Sequence, residues 1–568
     1  MKKALVILLA LVMMLTLLAA CGNSTGSNAG EQSNTGGAAN SGNSTGSGNS
    51  NGGGSTAPDT TINTEDDFDY SAWVDDQGRT TIKVATTADP GSFDPRVTAS
   101  TAAYAVPIFD SLCRVDTDTW SLVPNIAKSW KVADDGLSIE VEIFDYVKDM
   151  EGNPLTASDV EYCLQGAKDA GVANSNTYDH TEIKDDYHFT IYVASSQVGV
   201  WTNLSTINLY TKAAYESHDF GTDFVPTGPY KLVDWVPGST FTFEKTGVYW
   251  QTDESLIPKY DQANVDVVRY EVIKEPAQQT VALEMGNIDL VGSMSYTEAS
   301  RFMEGGEDAG THNVIVTDDI LAQLLYLNMS DKSIFKDDLN LRKAVFTAID
   351  RAGLIMGASD GYGDICVTFG CEPSSLGFNQ KWYDEEYYPY DPEQAKAYLA
   401  DSNYDGTELR IVSNNSDLKK SISQLIQVML QQVGINAKVL PYEDALLNTY
   451  KNDPNEWDIL LDNTSAGGEI SGMWRRKFDP NNFKGDQTGA NFIDDPALWD
   501  VLYPAIDMAT YSQETVDAFH YALKDNWSAL GLYNAKIFNV GSLAVIDTDI
   551  YHSGILSPTS STYAWNLE

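Results

Sequence analysis

Hydrophobic and polar positions divide the chain into three unlike stretches. Lys2 and Lys3 precede a nearly unbroken apolar run from Ala4 to Leu18, which has the length of a signal-peptide core and is short for a membrane span. Gly22 to Pro58 is almost entirely Ser, Gly, Asn, Thr and Ala. Such a stretch has no apolar area to bury, so it is predicted to be a flexible tether. Periodic patterning begins only at Thr80.

From there the β-branched run Thr80–Ala85 predicts a strand, and the turn-rich Asp89-Pro90-Gly91 closes it. A helix is expected over Ser100–Leu112. A second starts near Pro154–Val160, with Thr156 or Ser158 as its cap and Asp159 in its first turn. His188–Val193, Tyr230–Lys245 and Val265–Val272 read as strands, and Ala277–Met285 as a helix. After about residue 320 the order is strand (Leu324–Met329), helices (Leu339–Ile349, Asp391–Asp401), strand (Leu409–Ser413), helix (Asp417–Gly434) and strand (Ile435–Leu440). That alternation predicts α/β units with ligands at strand carboxyl ends.

The chain has 568 residues, too many for one hydrophobic core, so two to four domains are expected. Its formal charge of −45 excludes nucleic acid as a natural partner, because phosphates would be repelled. Of 5 cysteines, Cys113, Cys163, Cys366 and Cys371 form an even set that permits zero, one or two disulfides in an exported protein. Cys366 and Cys371 lack the histidines or further cysteines of a zinc site. No metal or cofactor is expected. Motifs for zinc proteases, nucleophile-elbow hydrolases and phosphate-binding loops are absent from the sequence. Paired carboxylates prove nothing among 81 acidic residues, so a secreted glycosidase stands only as a rival reading.

Leu18-Ala19-Ala20-Cys21 resembles the bacterial lipobox. The resemblance implies cleavage before Cys21 and a diacylglyceryl group on its thiol. Two acyl chains give stable anchoring, so the rest of the chain is expected on the outer face of a bacterial cell membrane.

Further motifs run in order along most of the chain. Phe109-Asp110-Ser111-Leu112 with Leu122 to Trp130 resembles an "F-E-x-L … P-x-L-A-x-S-W" segment, and Asp149 to Val160 resembles "D-G-x-P-L-T-A-x-D-V". Thr227-Gly228-Pro229-Tyr230, Ala282 to Asp289 and Leu341 to Arg351 match three more. Together they resemble the large three-domain solute-binding proteins of ABC importers, of the oligopeptide, dipeptide and nickel type. The resemblance implies a periplasmic-binding-protein-like α/β fold of two hinged lobes with an inserted extra domain. Domain I would comprise residues 80–110, 222–318 and 536–568, domain II residues 111–221, and domain III residues 319–535. It also implies an ABC transporter permease as partner, a monomer, and a pheromone or sensor receptor as a variant role. Most motif residues read as scaffold; Asp350-Arg351 reads as a buried or local ion pair.

In that family the pocket is built by the loop entering the first long helix, here Ser100, Thr101 and Tyr104, and by loops near Asp444 and after Trp457–Leu461. The second of these carries Asp462, Asn463, Thr464 and Glu469. Peptide binders typically have "D-Y-x-x-P" there to hold an α-ammonium. This chain has Ser465-Ala466-Gly467-Gly468-Glu469 instead, and Asp462, Glu469 or Asp444 would have to substitute. Trp474 is read either as a stacking platform or as core. Arg475, in the run Arg475-Arg476-Lys477, is read either as a partner for a ligand carboxylate or as part of a surface cluster. The expected ligand is an oligopeptide, with oligosaccharide as the alternative and a metal chelate third.

Overall fold

A computed structural model describes residues 61, 70–97, 104, 106–116, 119–172, 175–370, 375–465, 468–483, 488–545, 549–550 and 556–557. Cys21, Ser100, Thr101 and Cys371 lie outside the described residues.

In chain order the strands are β1 (Thr81–Thr86), β2 (Cys113–Val115), β3 (Leu122–Pro124), β4 (Ala127–Val132), β5 (Ser138–Ile143), β6 (Tyr178–Asp185), β7 (His188–Val193), β8 (Tyr230–Val236) and β9 (Thr240–Lys245). They continue as β10 (Val267–Val272), β11 (Leu290–Met294), β12 (Asn313–Leu327), β13 (Gly363–Ile365), β14 (Leu409–Asn414), β15 (Ala437–Tyr442), β16 (Ile459–Ser465) and β17 (Ala529–Gly541). One large sheet runs β15-β14-β16-β12-β17-β11-β1-β10-β9-β8, with β13 also paired to β17. Between β1 and β8 the chain leaves this sheet to make a separate four-stranded sheet, β4-β5-β7-β6, and the hairpin β2-β3.

Only β12 and β17 run the length of the sheet. Asn313–Asp318 pairs with Gly541–Lys536, and Ala322–Tyr326 with Asn534–Ala529; the register shifts between Asp318 and Ala322. β16 pairs only with the second half of β12, and β11 only with the end of β17. The two ends of the sheet are therefore joined through a pair of strands that is irregular at its middle, where ladder hydrogen bonds are interrupted and bending is easiest.

Local signals explain most elements. Thr156 and Asp159 form a reciprocal capping box at the start of Ala157–Ala170, and left-handed Gly171 ends it. Asp417–Val433 starts at Ser416, whose side chain accepts from Lys419 N, and stops at Gly434 with φ 100°. β17 is buried over nearly its whole length, as expected for a central strand covered on both faces.

The helix expected over Ser100–Leu112 does not form in the part that is described. Residues 106–112 are non-helical and buried; Pro107 has no amide to donate. Instead Asp110 and Arg114 become the centre of a buried network. Arg114 Nε and Nη2 donate to the two Asp261 oxygens at 2.8 and 2.7 Å. Nη2 also reaches Asp110 Oδ1 at 3.3 Å, while Trp250 Nε1 donates to Asp110 Oδ2 at 2.5 Å. Burial, then the charge of Asp261, raises the Asp110 pKa. The motif residues Asp110 and Asn125 thus meet Trp250 in one scaffold knot, with Asn125 Nδ2 donating to Asp261 at 3.1 Å.

One further expectation is corrected. Asp350 and Arg351 are not an ion pair: Asp350 caps its helix by accepting from Gly353 N, and Arg351 donates to the carbonyls of Cys366, Tyr387 and Tyr388. Cys113 and Cys163 are free and buried and Cys366 is buried, and no disulfide joins any two of these three.

Candidate functional site

β14, β15 and β16 are mutually parallel, so their carboxyl ends open on one edge, the place where α/β sheets present ligand-binding loops. Asp444 stands exposed just past β15, in the first turn of Asp444–Tyr450. β16 carries Asp462 and Asn463, half-buried, and Thr464, buried. The buried Lys419 donates its ammonium to the Asp462 carbonyl, tying the start of the Asp417–Val433 helix to this strand.

Beyond β16, Gly468 has a φ of +90°. Leu376 N donates to Gly468 O at 2.8 Å and Ile470 N to Leu376 O at 3.1 Å, which fixes the entry to the helix Ile470–Phe478. Glu469 is the residue before that helix. Burial pushes its carboxyl up to about 7, against a downward pull from the charge of Arg475.

Glu469 also lies against a distant part of the chain. Its Oε2 is 2.7 Å from where a Cβ on Gly199 would stand, and the Trp120 ring is 3.9 Å from the corresponding point on Gly468. Val198 N donates to Ile506 O at 2.9 Å, and Ser196 Oγ to Asp507 Oδ1 at 3.3 Å. Residues 120 and 196–199 thereby form a seam with the loop after β16 and the end of the helix Pro496–Ile506. The backbone there is close because Gly199 has no side chain and adopts φ +81°.

The structure does not gather all the predicted residues. Tyr104 is 4% exposed and packs on Phe93, Phe241 and Phe243 with centroid distances of 5.5, 6.3 and 5.3 Å, as part of an aromatic core. Trp474 is likewise fully buried. It packs on Phe519 at 4.9 Å and donates Nε1 to Phe369 O at 3.2 Å, so it backs the helix rather than offering a stacking surface. Arg475 is 7% exposed, which rules out a solvated surface cluster, and burial lowers its pKa. Gly199, Trp120 and Lys419 were not singled out from the sequence, and no motif marks them.

Residues 121–475 match the bacterial extracellular solute-binding proteins, family 5 Middle, and the chain belongs to that family. The oligopeptide-binding protein AppA of Bacillus subtilis is 25% identical over 367 residues, which are 59% of this chain and 64% of that protein. The glutathione-binding protein GsiB of Salmonella paratyphi A is 25% identical over 366 residues, 62% of this chain and 67% of that protein. The chain thus spans a little under two thirds of the Bacillus relative. The crystal structure of NikA from Brucella suis in complex with Fe(III)-EDTA superposes with a TM-score of 0.71 at 18% identity, covering 85% of this chain and 99% of that one. The fold is that of the periplasmic binding proteins of this family.

Proposed function

We propose that the chain is a lipid-anchored extracellular solute-binding protein that captures a short oligopeptide and delivers it to an ABC importer permease. Cys21 carries the anchor and residues 22–60 act as the tether, which keeps captured solute concentrated near the permease. Domain I comprises residues 80–110, 222–318 and 536–568, domain II residues 111–221 and domain III residues 319–535. The register break of β12 and β17 between Asp318 and Ala322 is the hinge about which the lobes close.

The observation that carries the reading is Glu469. It is an acid at the loop position where the family's peptide binders hold an ammonium, and it is desolvated so that an ionic partner interacts strongly. Relatives named for oligopeptide and glutathione binding support a peptide-like solute. The chain performs no chemistry on it. A panel of peptides and oligosaccharides in thermal unfolding tests this: a peptide at 100 times its Kd should stabilise by about 2.7 kcal/mol. Stabilisation by oligosaccharides and by no peptide would overturn it.

A further inference from the structure

A cavity of about 590 Å³ opens between the turn after β5 and the loop after β9. That is within the range of small-molecule sites, about 300–1,000 Å³. Its walls include Tyr146, Lys148, Glu151, Tyr249, Trp250 and Thr252. None of these belongs to the loops that carry Asp444 or Glu469, and the peptide reading makes no use of them.

The aromatic part of the wall is partly bare and held rigid. Tyr146 is 39% exposed and Tyr249 half-buried, so ring area is available beside the buried Trp250. The Trp250 ring lies 5.8 Å from Tyr146 and 5.6 Å from Tyr249 between centroids, and Phe144 packs on Tyr146 at 5.2 Å. Trp250 Nε1 donates to Asp110 Oδ2 at 2.5 Å, and Gln251 Nε2 donates to Tyr146 Oη at 3.3 Å. The opposite wall is equally set. Asp149 accepts from the amides of Glu151 and Asn153 at 3.0 and 2.9 Å and from Thr211 Oγ1 at 2.6 Å. The rings are thus fixed before any ligand arrives, which lowers the entropic cost of binding.

The polar groups around the rings set the class of ligand. Lys148 supplies donors and Glu151 acceptors, while Thr252 and Tyr146 hydroxyls serve as either. Lys148 and Glu151 are both exposed and opposite in charge, so an ionic ligand would meet a like charge along with its counter-charge. A purely apolar ligand would leave both groups unmatched. A pyranose sugar fits the combination: its C–H faces lie flat on an aromatic ring, and its hydroxyls each donate and accept. We infer that this cavity is a second binding site, separate from the peptide pocket, that takes a neutral saccharide.

Titration calorimetry of the full chain with maltose, cellobiose and N,N′-diacetylchitobiose, each with and without an excess of trialanine, tests the site. At least one disaccharide should bind, with the same affinity whether or not the peptide is present. Tyr146→Ala should weaken that binding about tenfold or more, and Tyr146→Phe, which keeps the ring face, should retain most of it. Peptide affinity should be the same in both variants as in the unaltered protein. Sedimentation with insoluble chitin and cellulose separates the sources: retention stronger than the free disaccharide explains marks a surface glycan, and disaccharide binding alone marks a soluble sugar. Displacement of the sugar by peptide, or sugar binding indifferent to Tyr146→Ala, overturns the second site. So does binding of no saccharide in either form. Absence of peptide binding beside Tyr146-dependent sugar binding would instead overturn the peptide reading and leave this site standing.

Discussion

Glu469 touches Gly199: a methyl group at position 199 would stand 2.7 Å from the Glu469 Oε2 atom. One residue belongs to the stretch that leaves the main sheet, the other to the loop after β16. Their contact makes the absence of a side chain at 199 part of how the two stretches meet.

Gly199→Ala should therefore cost more than backbone strain alone. A left-handed alanine is worth about 1–2 kcal/mol, and Gly238, with φ +73° and nothing within 4 Å of its Cβ position, provides the control. Urea unfolding should show Gly199→Ala as the more destabilised of the two. It alone should weaken peptide binding. Equal losses with unchanged binding would mean that the seam is unimportant.

Glu469 predicts a pH dependence. Burial raises its pKa to about 7, above the value of about 4.3 for an unfolded glutamate, so over that interval the folded chain holds the proton more tightly. Stability of the empty protein should fall as pH rises from about 4.3 to about 7 and then level off. Glu469→Gln should lack that component, as judged by the difference between the two proteins' urea midpoints across the window. The titration of Asp110 is common to both proteins and cancels.

Arg114→Met should destabilise by about 3–5 kcal/mol, because it strands two buried carboxylates. Asp110 and Asp261 are each fully buried, and Arg114 bonds to both. Denaturant unfolding measures the loss. A change under 1 kcal/mol would mean that the acids are neutral in the folded state.

How far the sequence could be read follows from the range of each interaction. The capping box of Thr156 and Asp159 and the stop at Gly434 are set by neighbours within one turn, and both appear where the residues placed them. Family motifs put Glu469 in the loop after β16, and the structure has it there, just before the helix Ile470–Phe478. Patterning failed over residues 106–112, where an apolar run that reads as a helix is instead a buried non-helical stretch around Asp110; a short apolar run does not distinguish the two. The identity of Trp474 was equally ambiguous, since a buried and a stacking tryptophan have the same local sequence. Contacts such as Glu469 with Gly199 depend on residues far apart in the chain. No local pattern encodes them.

Trp474→Ala separates scaffold from pocket. Removing a fully buried tryptophan should cost about 3–5 kcal/mol, while the fraction that stays folded should bind peptide as before. Lost binding at unchanged stability would put Trp474 against the ligand instead.

Capture of a peptide without chemical change can be observed directly. Native mass spectrometry of the full chain, mixed with a pool of short peptides and oligosaccharides and followed over time, tests it most directly. A one-to-one complex with an intact peptide whose mass does not change is the expected result. An oligosaccharide bound in its place, or peptide masses that shorten with time, would contradict it.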